Sequence, residues 1–258
     1  MGLGRLRPIV VAFVIFVVVG VVVALTPSAG TATTFGIRTA GFGQTSTVGA
    51  LFTLTPSGQL SSHFCTASVV DSPAGDLLIT AAHCVTGRTA DQIAFVPDYS
   101  NGQKPFGTWT VSEIIMDQQW QSSSDADDDF AFLIVHQAGS KMAVQALTGG
   151  EVVGIGVPSA RTVKVAGYPD SQDGMITCEN AAQAFSPTQL EFDCDGFTDG
   201  TSGSPLLAFS GPFANVDVVI GVIGGYQQGG YTSSVSYAAK FGTQMTALYH
   251  SALAAAGG

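Results

Sequence analysis

Three short stretches carry residue types that perform nucleophilic chemistry together. His83 comes near the end of "LLITAAHC" (Leu77 to Cys84), so a buried strand delivers an imidazole at its edge. Asp129 stands directly before "FAFLIV" in "SSSDADDDFAFLIV"; that strand draws one carboxylate inward, while Asp125, Asp127 and Asp128 are expected to stay solvated. Ser202 lies in "GTSGSP" (Gly200 to Pro205), between two glycines. A serine hydroxyl is a weak nucleophile at neutral pH: it needs a base to take its proton, and an imidazole base needs a carboxylate to fix its tautomer. A buried aspartate needs hydrogen-bond donors, and an imidazole N–H is one. Glycines beside Ser202 permit unusual backbone angles and free the N–H groups of Gly200 and Ser202 to converge on one point, as an oxyanion hole requires. The chemistry such a set performs is acyl transfer through a covalent serine intermediate. A calcium loop is the competing explanation of the acidic run, but calcium wants six or more oxygens around a glycine turn, which the run lacks.

The elements that must hold these residues are short strands. Apolar runs separated by turn residues recur about every ten positions, as in many-stranded all-β proteins. The strand candidates are "VGALFTL", "FCTASVV", "DLLITAA", "QIAFVP", "TWTVSEIIM", "DFAFLIV", "RTVKVAGY", "MITCENAAQAF", "QLEFDC", "SPLLAF", "VVIGVIGGY" and "TSSVSYAA". These exceed the needs of a single sandwich and fit two closed barrels in series, with a boundary in "QALTGGEVVGIGVPSAR". The final stretch "AKFGTQMTALYHSALAAAG" repeats Phe241, Met245, Leu248 and Leu253 near helical spacing and reads as a helix stopped by glycine.

Arg5 and Arg7 precede the apolar run from Ile9 to Leu25, and small residues follow, the pattern of an export signal cleaved after Gly30 or Ala32. A retained membrane anchor is the rival, since the run is almost long enough to span a bilayer. The expected organisation is signal 1–30, an N-terminal segment or short propeptide 31–47, a first barrel 48–147, and a second barrel with the helix 148–258. A net charge of −10 with only nine lysines and arginines argues against a nucleic-acid partner. Cys65, Cys84, Cys178 and Cys194 all lie beyond the signal. Two disulfides are expected in an exported chain, in one of three pairings, and no close Cys-x-x-Cys spacing favours a zinc site. His63, His136 and His250 read as structural or exposed, and Trp109 and Trp120 as core.

With "TAAHC" around His83, "DFAFL" from Asp129 and "GTSGSP" around Ser202, in that chain order, the sequence resembles the chymotrypsin-like (trypsin-like) serine peptidases in a bacterial secreted form. The resemblance implies two six-stranded antiparallel Greek-key β-barrels with the active site between them. His83 and Asp129 then belong to the first barrel and Ser202 to the second, and the N–H groups of Gly200 and Ser202 form the oxyanion hole. It also implies that Cys65 pairs with Cys84, leaving Cys178 with Cys194. The activity implied is peptide-bond hydrolysis by a secreted monomer, with no cofactor or metal, on protein or peptide substrates.

The sequence departs from the family at informative places. Thr201 stands where animal members carry an aspartate that receives a new amino terminus, so that activation salt bridge is not expected. Relatives that recognise glutamate use a histidine where this chain aligns Ile223. Gly196 occupies the position of a trypsin-like aspartate, with Asp195 and Asp199 close by, so preference for a basic side chain stays open. Gly224 and Gly225 are expected to line the pocket wall and offer backbone groups to an extended substrate, with Tyr226 narrowing the entrance for a small or medium apolar side chain. Two other functions remain on the same residues: a catalytically inactive binding module, and an esterase. The esterase lacks the Gly-x-Ser-x-Gly elbow of its usual fold.

Overall fold

The computed structural model describes Met1, residues 45–209 and residues 217–257. The expected export signal and nearly all of the N-terminal segment lie outside the described residues. Within them every one of the twelve predicted strands is found.

Six strands close into a barrel: β1 (Val48–Leu54), β2 (Leu60–Val69), β3 (Leu77–Thr80), β4 (Ile93–Pro97), β5 (Trp109–Met116) and β6 (Ala131–His136), in the antiparallel order β1-β2-β3-β6-β5-β4. Pairing of β1 with β4, from Gly49↔Pro97 to Thr53↔Ile93, seals the ring. Its interior holds Leu51, Phe95, Trp109 and Leu133. The buried Trp109 ring keeps its polar end satisfied by donating Nε1–H to the Phe106 carbonyl at 2.9 Å.

The second sheet contains β7 (Val152–Val153), β8 (Arg161–Gly167), β9 (Ile176–Ala184), β10 (Gln189–Asp193), β11 (Pro205–Phe209), β12 (Asp217–Val222) and β13 (Val235–Ala239), ordered β13-β10-β9-β8-β11-β12-β7. An isolated bridge between Ile223 and Ala238 brings the end of β12 back to β13, rounding six of these strands together. The seventh, β7, is an addition to the expected six and runs parallel to β12. Two residues are too few to show a period of two, so the sequence pattern carries no sign of it.

Helices are α1 (Ala82–Val85), α2 (Gln118–Ser123), α3 (Val144–Thr148) and α4 (Thr243–Ala256). α4 is the predicted C-terminal helix, begun a few residues later because Ala239 still belongs to β13 and Gly242 is extended. Phe241, Met245, Leu248 and Ala252 join Leu77, Ile79 and Phe132 of the first barrel and Leu207, Val219 and Val222 of the second sheet in one buried cluster. The helix therefore closes the seam between the two sheets from behind. No helix among the described residues is long and apolar enough to cross a membrane.

The disulfides pair as the family resemblance implied. Cys65–Cys84 ties β2 to α1, and Cys178–Cys194 ties β9 to the residue after β10. Each closes a short loop and contributes about 3 kcal/mol by restricting the unfolded chain.

Glu151 is a buried carboxyl at the entry to β1. Thr47 donates its hydroxyl to Oε1 at 2.6 Å, while the Glu151 carbonyl accepts from the Asp71 amide at 2.8 Å. Burial pushes its carboxyl up from 4.5 to about 7; Asp217 adds to this, and the Thr47 bond and Lys164 oppose it. The folded protein therefore holds a proton there that the unfolded chain releases above 4.5, so stability falls as pH rises from 4.5 to about 7 and levels off beyond. Glu151→Gln keeps the Thr47 contact without the ionisation. Thermal unfolding compared at pH 5 and pH 8 is expected to show the variant losing less stability than wild type, by on the order of 2 kcal/mol; equal losses in the two proteins would remove this account of Glu151.

Candidate active site

The site begins with the turn that ends β3. Ala81, extended and without a capping side chain, leads into the single turn of α1, which carries His83. The amides of a helix's first turn lack internal partners. Asp129, 46 residues away in sequence, supplies one: its Oδ1 accepts from the His83 main-chain N–H at 2.9 Å. Its Oδ2 meets His83 Nδ1 at 2.8 Å and also accepts from the Gly225 amide at 2.8 Å. Asp129 is fully buried, and the His83 side chain is 14% exposed. One carboxylate thus fixes both the backbone and the ring of His83, and the disulfide at Cys84 fixes the same turn from its other end. Cys65 and Cys84 approach His83 closely enough to resemble a metal cluster, but both sulfurs are consumed in the disulfide.

The acidic run does not behave as expected around Asp129. Asp125 is exposed, yet Asp128 is buried, because a 3-10 turn over Ala126–Asp128 swings its side chain inward. Burial, with Asp117, Asp125 and Asp127 adding repulsion, pushes the Asp128 carboxyl up to about 6. Asp127 is half-buried and accepts from Gln189 Nε2 at 2.7 Å.

Ser202 sits in a loop whose carbonyls are all engaged. The Asp199 carbonyl accepts from the Asp170 amide at 2.8 Å, that of Gly200 from the Thr66 hydroxyl at 3.1 Å, that of Thr201 from the Ser204 amide at 3.0 Å, and that of Ser202 from the Thr66 amide at 2.8 Å. Of the loop amides, Thr201 donates to the Thr198 carbonyl and Gly203 to that of Ile223. Among the described residues the amides of Gly200 and Ser202 have no acceptor. In a trans peptide the N–H points opposite the preceding C=O, so fixing the Asp199 and Thr201 carbonyls also fixes the direction of these two donors. Gly200 has φ +91° and Gly203 φ +83°. A side chain at Gly203 would collide with the Thr66 carbonyl and the Thr80 hydroxyl. Thr201 is buried and donates its own hydroxyl to the Thr198 carbonyl at 2.7 Å.

A cavity of about 360 Å³ opens beside Ser202, lined by Phe197, Asp199, Thr201, Ile223, Gly229 and Ser233 among others. Two of its lining residues are joined where the Phe197 amide donates to the Ser233 carbonyl at 3.1 Å. Of the residues expected to bind substrate, Asp199 lines this cavity; Gly196, Gly224, Gly225 and Tyr226 lie outside its lining. The amides of Gly224, Gly225 and Tyr226 are committed inside the fold, to the Tyr237 carbonyl, the Asp129 carboxylate and Gln189 Oε1. Of the three, Gly225 braces Asp129 directly, and all three N–H groups are engaged within the fold. Tyr226 packs with Phe185 and Tyr237 at ring separations near 5.0 Å. The other histidines match their expectation: His63 is buried with Nε2 on the Pro169 carbonyl, and His136 and His250 are exposed. The residue that sequence reasoning missed is Thr66, which reads as one more alternating position of a strand.

The match to the trypsin-like peptidase family, on a fold of a closed barrel and a second sheet, gives the class of the chain as serine-type endopeptidase. The sequence profile of the trypsin-like peptidase domain matches residues 65–213, more than half of the 258, and the chain belongs to that family. As a peptidase it acts on protein or peptide substrates. No curated protein sequence matches it. Among solved structures it is similar to the protease Anisep from Arthrobacter nicotinovorans (24% identity, TM-score 0.66), over 82% of this chain and 98% of that one. It is also similar to a thermostable serine protease, AL20, from an extremophilic microorganism (23% identity, TM-score 0.67), over 81% and 98% of the two chains. A Glu endopeptidase is similar at 16% identity and TM-score 0.65, over 83% and 93%. These likenesses concern the fold.

Gly203→Ala tests the tight approach of the Ser202 loop to β2. The added methyl forces the loop off Thr66, and overpacking of this kind costs about 1–3 kcal/mol. Urea-induced unfolding is expected to show that loss together with a fall in turnover per folded molecule. A variant unchanged in both measures would mean that the loop accommodates the methyl without moving.

Proposed function

We propose that the protein is a secreted serine endopeptidase in which Ser202 is the nucleophile, His83 the general base and acid, and Asp129 the group that orients the imidazole. The observation that supports this most is the buried Asp129 carboxylate on His83 Nδ1 at 2.8 Å. A carboxylate only accepts hydrogen bonds, so Nδ1 carries the ring proton and Nε2 keeps its lone pair, the tautomer a base needs. Ser202 Oγ adds to the substrate carbonyl as His83 Nε2 takes its proton. The developing oxyanion is received by the N–H groups of Gly200 and Ser202. The imidazolium, stabilised by Asp129, then protonates the departing amine and leaves an acyl-serine. Water, deprotonated by the same ring, adds to the acyl carbon, and collapse restores Ser202 and releases the new carboxyl terminus.

The cavity beside Ser202 takes the side chain that precedes the cut. Among the described residues its lining holds one carboxylate, Asp199, and no lysine, arginine or histidine, which disfavours an acidic side chain and suits a neutral or basic one. Gly196, Gly224, Gly225 and Tyr226 support the site from behind or beside this cavity. The two disulfides and the basic-then-apolar start of the sequence support export. The two barrels are assigned to residues 48–147 and 148–258, working as a monomer.

Ser202→Ala is expected to fold with an unchanged thermal midpoint and to lose about 10⁶-fold in kcat on a peptide substrate. Asp129→Asn is expected to lose about 10⁴-fold, because the amide favours the wrong tautomer of His83. Substantial peptide hydrolysis by Ser202→Ala, or failure of a fluorophosphonate probe to label Ser202 in the wild type, would refute the assignment. Ester cleavage without any peptide cleavage would identify an esterase instead.

A further inference from the structure

We infer that Thr66 is a positioning residue for the reaction: from the first barrel it holds the Ser202 loop of the second in the shape that presents the two oxyanion-binding amides. The inference rests on the roles given above to Ser202 and Gly200. Thr66 is fully buried in β2 and faces the loop with both its backbone and its side chain. Its amide donates to the Ser202 carbonyl at 2.8 Å, and its hydroxyl donates to the Gly200 carbonyl at 3.1 Å. The same hydroxyl accepts from the Tyr168 amide at 2.9 Å, and its carbonyl accepts from the Thr80 hydroxyl at 2.7 Å.

A hydroxyl has one proton. Because Tyr168 brings its own N–H, the Thr66 proton is committed to Gly200, and the side chain has no free rotation. β-Branching restricts the rotamer further. The carbonyl it holds belongs to Gly200, one of the loop's two glycines, at φ +91°. Released, the Gly200–Thr201 peptide, which links the two donor-bearing peptides, keeps only its Thr201 N–H bond to the Thr198 carbonyl; the Asp199 and Thr201 carbonyl bonds still set the direction of each donor, so what changes is the spacing between the Gly200 and Ser202 amides. Much of the cavity wall is held independently of the hydroxyl, by the Phe197–Ser233 and Gly203–Ile223 backbone bonds and by the Thr66 amide on the Ser202 carbonyl, which every Thr66 variant retains. Loss of the hydroxyl therefore affects the transition state more than substrate binding.

The test compares Thr66→Val, Thr66→Ala and Thr66→Ser with wild type, using kcat and KM on one peptide, the rate of fluorophosphonate labelling, and thermal midpoints. Thr66→Val keeps the shape and is expected to lose about tenfold to a hundredfold in kcat, with KM within about threefold, since small misplacements of reacting groups cost rates of that order. Thr66→Ala leaves room for water beside the stranded carbonyl and covers the case in which valine prevents folding; about fivefold or more should be lost in kcat. Thr66→Ser should restore kcat to within about threefold while its thermal midpoint still drops for want of the buried methyl. A purely structural residue would lower the midpoint in all three and leave turnover per folded molecule unchanged. Folded Thr66→Val or Thr66→Ala with wild-type kcat would overturn the inference while the wild type still labels at Ser202. A wild type that does not label would instead overturn the nucleophile assignment.

Discussion

The buried carboxylate of Asp129 is the constraint around which the rest of the site is arranged. An ionised carboxylate out of water is tolerated only with its lone pairs occupied. Three donors occupy them here, two from His83 and one from Gly225. Those donors come from the end of β3 and from the segment after β12, so satisfying one side chain requires the two sheets to meet at a fixed angle and distance. It also dictates the residue at 224: a side chain there would crowd Oδ2 and the Ala81 methyl. Glycine at that position is a steric consequence of the aspartate. The seam closed by α4 supplies the apolar burial that keeps the sheets from shifting.

The Ser202 loop solves the complementary problem. It leaves two amides unpaired near a cavity, and an unpaired amide is stable only where solvent or a ligand reaches it. The fold engages every carbonyl from Asp199 to Ser202 and the intervening amides, so the two donors left over are held without a partner of their own. Half of those carbonyl contacts come from Thr66, across the interface between the sheets. Both halves of the site are therefore organised by contacts from the opposite barrel: Asp129 by Gly225, and the Ser202 loop by Thr66.

This explains which features were legible in the sequence. Twelve strands and α4 show as local periodicity, and His83, Asp129 and Ser202 show as polar letters at the ends of apolar runs. α1 and β7 are too short to have a period. The bond from Thr66 to Gly200 spans 134 residues, and nothing in "FCTASVV" distinguishes a threonine that clasps a loop from one that fills a strand. The occupied amides of Gly224 to Tyr226 were invisible for the same reason, since backbone donors leave no mark in the sequence. Thr201 was legible as a departure from the animal enzymes; its buried bond to Thr198 adds how the loop is held at that point from within.

Asp128 and Asp129 make the limit of residue-type reasoning concrete. They are adjacent, identical in chemistry and both buried. Asp129 has three donors on its oxygens, whereas Asp128 Oδ1 is buried without a partner and its neighbours Asp117, Asp125 and Asp127 are all acids. Desolvation without compensation disfavours charge, so the Asp128 carboxyl retains its proton up to about 6. Below about 6 its neutral form also spares Asp129 a second charge one residue away. At mildly acidic pH the run "DADDD" therefore carries less charge than its letters imply, and what separates its two innermost members is the supply of N–H groups, a property of the folded backbone.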